Sequence, residues 1–172
     1  MLTARNTNCV NLSFLSQSLD WLESTFLAEH IRQSLWLYPA LEIVHITGIT
    51  ILVGAAFMFD VRLLGFSKNL PVSALSLYLL PWSQRGLWLI IPSGVMLFIT
   101  NAKTLGYDPT FWLKMLLIVI AAGNVLIFHR FIYVSANSDV TSGRVPVAAK
   151  FSALVSILVW IAVIACGRLL AY

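Results

Sequence analysis

Charge is what this sequence most lacks. Asp, Glu, Lys and Arg make up 10% of its 172 residues, against about 25% in a soluble domain. With 59% hydrophobic residues and a mean hydropathy of +0.88, the soluble globular class is excluded. The chain reads as a membrane protein with room for one compact helical domain. Cysteine is nearly absent as well. Cys9 and Cys166 are the only two, which excludes a disulfide framework, although they can bond to each other if both face an oxidising compartment. The apolar runs lack strand alternation and are too long for barrel strands. No Walker loop, dinucleotide fingerprint, HExxH, CxxC or nucleophile elbow occurs. The short loops leave no space for a soluble catalytic domain. The N-terminal stretch has polar residues where a signal peptide needs its apolar core. The net charge of +4 sits in short loops, so it reports membrane topology and excludes nucleic acid as a partner.

What is present is a set of long apolar segments. Backbone groups in lipid must satisfy one another, so spanning segments are helices of about 20 apolar residues. Four such spans are expected: Leu37 to Phe59, with Pro39 in the first turn; Trp82 to Ala102, kinked at Pro92-Ser93-Gly94; Pro109 to Ser135; and Ala148 to Leu170, after a turn marked by Gly143 and Pro146. The fold class is all-α, an integral membrane four-helix bundle over residues 37–172. Before it, residues 1–36 form a tail and an amphipathic helix in the interface, with Leu15, Leu19, Leu22 and Phe26 on its apolar face. A shorter piece between Pro71 and Pro81 lies at the surface ahead of the second span. Arg62, Lys68, Arg85, Arg130, Arg144 and Lys150 fall on the side opposite the termini, which favours that side as cytoplasmic and both termini as periplasmic. The expected location is the bacterial inner membrane.

Ionisable residues inside these spans are costly and functional by default. His45 lies six residues past Pro39, about 9 Å below the terminal side. Met96 and Met115 fall at the same depth, with Glu42 and Lys114 slightly shallower. Glu42 is expected to orient His45 or to pair with Lys114. His129 sits near the other side, about 21 Å away in depth, whereas two nitrogens on one metal are only about 4 Å apart. His45 and His129 therefore do not share one metal. Asp60 and Arg62 read as a loop clamp, and Gly48, Gly54, Gly94 and Gly123 as points of close helix approach or, more sharply, as room for a flat cofactor. Trp82, Trp88, Trp112 and Tyr107 suit the interfacial belts.

The segments "WLYPALEIVHITGITILVGAAFMFDVRLLG", "LPW", "SGVMLF" and "DPTFWLKMLLIVIAAGNVLIFHR" resemble a bacterial four-span membrane family of unassigned function, domain-of-unknown-function family 6644. The resemblance covers roughly residues 35 to 135. Glu42, His45, Gly48, Gly54, Asp60, Arg62, Gly65, Trp82, Gly94, Lys114, Asn124 and His129 are the positions that carry it. It implies a four-span fold and a membrane location, and no activity. A looser similarity joins His45-x-x-Gly48 and Trp112-x-Lys114 with a distant His129 to two further groups. These are the haem-containing four-helix protoporphyrinogen oxidases and the copper-resistance D-type membrane proteins. The spacing from Lys114 to His129 is longer than in the oxidase pattern.

Three functions follow as expectations. The first is a small redox or electron-transfer protein binding haem b, with His45 as an axial ligand, Met96 or Met115 as the second, and Lys114 pairing with a propionate or with Glu42. The second is Cu(I) handling by His45, Met96 and Met115. The third is a cofactor-free accessory subunit whose polar residues bind helix to helix. His129, Asn124, Asp60 and Arg62 form a second candidate site. The expected partners are the lipid bilayer, another membrane subunit, or a periplasmic redox or metal protein.

Overall fold

The computed structural model describes residues 16–66, 72–132 and 146–170. Among these the secondary structure is helical, with no strand. The helices are α1 (16–23), α2 (Phe26–Gln33), α3 (Leu37–Leu63), α4 (Val72–Thr100), α5 (Ala102–Tyr107), α6 (Pro109–Ile127, continued by a π-helical stretch Phe128–Ile132) and α7 (Val147–Leu169). Cys9, Gly143 and the last residues expected for the third span lie outside the described residues.

Local chemistry sets the ends of these helices. Ser34 Oγ accepts the Leu37 amide at 3.3 Å, capping α3, and Pro39 sits in its first turn, where a missing N–H costs nothing. At the other end Gly65 has φ +106°. The amides of Gly65 and Phe66 bond back to the carbonyls of Arg62 and Val61, the paired closure that a left-handed glycine makes possible. Pro109 opens α6 in the same permissive position as Pro39.

Two expectations change here. The N-terminal segment is two helices rather than one. Ser24 Oγ donates to the Trp21 carbonyl and Thr25 Oγ1 to that of Leu22, and such side-chain bonds to the backbone compete with helix continuation. Ala28 and Ile31 are the buried residues of α2, while Phe26 is 83% exposed, so the apolar face differs from the one spacing suggested. The second change is larger. The piece between Pro71 and Pro81 is not separate from the second span: α4 runs unbroken through Pro81 and Pro92. Close to each proline a serine hydroxyl bonds its own helix backbone, Ser83 to the Leu79 carbonyl and Ser93 to that of Leu89.

Three helices are long and apolar enough to cross a membrane: Leu37–Leu63, Pro109–Arg130 and Val147–Leu169. With 29 residues α4 has the length, and its run Ser83-Gln84-Arg85 dilutes its apolar content. The burial pattern is that of a protein dissolved in lipid. Large apolar side chains point outward, as with Ile43, Met58, Val119 and Leu126, whereas much of the interior is Ala, Ser and Thr. The chain is a helical membrane protein.

The helices group into two compact units, residues 1–46 with 89–108, and residues 47–88 with 109–172. In the first, α1 docks on α5. Leu19 packs against Gly106, where an added Cβ would lie 2.8 Å from the leucine. Lys103 Nζ meets Asp20 at 2.8 Å, and Glu23 accepts the Lys103 amide at 2.7 Å, supplying the carboxylate that the start of α5 favours. In the second unit Leu63, Phe128, Ala149 and Ala153 make a core, with Phe59 edge-on to Phe128 at 5.7 Å. Here α3 and α4 approach backbone to backbone: a Cβ on Gly86 would lie 2.9 Å from both the Gly48 carbonyl oxygen and the Leu52 nitrogen.

Candidate functional site

In the first unit the face that α4 turns to α3 is polar at two levels. Asn101 Nδ2 donates to the Tyr38 hydroxyl at 3.3 Å, and His45 Nδ1 lies 3.0 Å from Ser93 Oγ. Ser93 Oγ also lies 2.5 Å from the Leu89 carbonyl and 3.2 Å from that of Ile90. With its single proton on one of these carbonyls, Ser93 Oγ accepts from His45 Nδ1–H; in the other tautomer it donates to Nδ1. Gly94 makes the approach possible, because a Cβ there would lie 3.0 Å from His45 Cε1. His45 is half-buried and Ser93 is buried.

Glu42, Met96, Lys114 and Met115 are also expected at the level of His45. Glu42 is exposed, one turn from Tyr38 on α3, and Ser93 rather than Glu42 meets Nδ1 of His45. Met96 is half-buried. It lies one helical turn (i+3) from Ser93, the residue that meets His45. Lys114 and Met115 belong to the second unit, where Lys114 lies near Cys166 and Gly167 on α7. Gly48 is buried at its crossing with Gly86. Cys166 is a buried free thiol.

The second candidate set also lies in the second unit. Asn124 and Ser152 are reciprocally bonded: the amide donates to the Ser152 carbonyl, and the Ser152 hydroxyl donates to the amide oxygen, each at 3.0 Å. Asp60 is expected to clamp with Arg62, and the structure also gives it a partner on α7. It is 7% exposed and accepts a hydrogen bond from Ser156 of α7. Arg62 is 5% exposed. His129 is exposed on the π-helical stretch. Among the described residues no three of His, Cys, Asp and Glu converge as metal ligands. Ser93, Gly86, Ser152 and Ser156, the partners that define these contacts, escaped the sequence reading. Their one signal is that each is a small residue within a long apolar run.

A family model described as a family of unknown function, DUF6644, matches residues 18–172. No curated protein matches the chain, and no solved structure does.

Proposed function

The chain belongs to the family of unknown function DUF6644, and on that footing we propose that it is a small redox protein of the bacterial inner membrane that holds haem b at His45. In this reading α4 is the fourth span, α1 and α2 lie in the interface, and both termini are periplasmic. The observation that carries the reading is the chain from His45 Nδ1 through Ser93 Oγ to the Leu89 carbonyl. Ligating histidines are characteristically fixed through the nitrogen that does not bind the metal, and in this reading Ser93 holds Nδ1–H and Nε2 is the ligand. The donor set fits one axial position. Met96, one turn from Ser93 on α4, is the candidate for the second. Haem bound there would supply one-electron transfer. The chain's own contribution is to hold the imidazole in one tautomer and to exclude water around it.

A second reading, that of a cofactor-free accessory subunit, is favoured by the Asn101–Tyr38 and Asn124–Ser152 bonds. These join helix to helix as polar residues do in lipid. Full-length protein purified in mild detergent separates the two. The haem reading predicts a red protein with a Soret band and a reduced-minus-oxidised difference. The accessory reading predicts colourless protein that co-purifies with a larger membrane complex.

A further inference from the structure

Asp60 is the most deeply placed carboxylate among the described residues, and the redox reading does not use it. Its partner Ser156 is the tenth of the 23 residues of α7, near the middle of an apolar helix. One carboxyl oxygen is engaged by the Ser156 hydroxyl. The other, Oδ2, is sealed from solvent and has no hydrogen-bond partner. One turn further along the same face of α7, Trp160 Nε1 is also sealed and unpartnered. Among the described residues Ser156 is its hydrogen-bond partner; Arg62 follows two residues later on α3, and Lys114 and His129 of α6 and Lys150 of α7 share the unit.

An anion in this position is expensive, because burial disfavours the charged form. A metal cation would need several oxygen ligands. Asp60 and Ser156 offer few, and the second orphaned group, an indole N–H, is a donor that repels a cation. A proton needs one oxygen, and Oδ2 is that oxygen. We propose that Asp60, seated on Ser156, is a proton-binding site within the apolar layer, held as the neutral acid and able to release its proton when the surrounding helices admit water. The step is balanced: carboxylate and proton give the carboxylic acid, with no co-reactant.

The test is reaction with dicyclohexylcarbodiimide, a lipid-soluble reagent. The acid adds across its C=N bond, with the carboxyl oxygen going to carbon and the proton to nitrogen. Full-length protein in mild detergent is treated across a pH series and the adduct located by peptide mass spectrometry. The expected result is an adduct on Asp60 at neutral pH that diminishes as pH rises and is lost in Asp60→Asn. In Ser156→Ala, which keeps the carboxyl group and removes its hydrogen-bond partner, the midpoint shifts. That shift keeps the test intact if Asp60→Asn fails to fold. No adduct at any pH, an adduct indifferent to pH, or labelling slowed by sodium would overturn the proposal, the last by making the site a cation site.

Discussion

Ser93 links a histidine on one helix to a carbonyl on its own, and both functions rest on one hydroxyl. Removing it leaves His45 in place but frees its tautomer. Loss of such an outer partner typically weakens a metal site about 10- to 100-fold. Ser93→Ala is therefore expected to release haem about 10- to 100-fold more readily, while Ser93→Thr, which keeps the hydroxyl, retains it. Haem transfer to apomyoglobin measures the difference. Asn124 and Ser152 make the parallel case without a ligand. Asn124→Leu should cost about 0.6 to 1.7 kcal/mol of stability in detergent. A much larger loss would mean that Asn124 does more than join α6 to α7. His45, Gly48 and Asn124 were legible in the sequence because each is polar or small inside an apolar run. Ser93, Gly86 and Ser152 were not. Residue counts give depth along a helix, whereas contact depends on rotation about its axis, which the evenly apolar sequence of α4 leaves open.

At the scale of elements, α4 departs most from expectation. Proline usually marks a helix boundary because its ring removes an N–H and disfavours helix in the preceding residue. In lipid the alternative is an unsatisfied backbone, so the helix continues through both prolines. The break between α1 and α2 is the converse: Ser24 and Thr25 bond their own backbone and stop a pattern that apolar spacing would have continued. Glycines divide the same way. Gly86 faces backbone, which cannot move aside, so Gly86→Ala should destabilise by about 1 to 3 kcal/mol. Gly54 has nothing within 4 Å of an added Cβ, so Gly54→Ala should be neutral or stabilising by up to about 1 kcal/mol. Unfolding of the two variants in the same detergent checks the contrast, and equal effects would mean that the α3–α4 crossing is not at Gly86. The docking of α1 on α5 has its own signature. The Asp20 carboxylate raises the Lys103 ammonium above the usual lysine range. A raised folded value means that the contribution is complete below the unfolded value, about 10.4, and is lost as pH climbs through the folded one. A fluorescent label at position 17 should report tight docking through the neutral range and release in strong alkali, with weakening by salt because both groups are half-exposed.

The molecule as a whole is turned outward relative to a soluble protein, with small and polar residues within and large apolar ones on the surface. Composition alone made that legible, since so little charge cannot cover a water-facing surface. It did not determine the number of spans, because α4 carries Gln84 and Arg85 in its middle. Sidedness of the termini decides this. Four spans return the chain to the side on which it began, so reporters at both ends should behave as periplasmic, whereas three spans would put the ends on opposite sides. The central claim, that His45 holds haem, is tested most directly by haem content per folded chain in wild type, His45→Ala and His129→Ala. The account predicts haem in the wild type, none in His45→Ala and nearly full content in His129→Ala. Folded wild-type protein without haem, or equal and complete loss from either histidine, would contradict it.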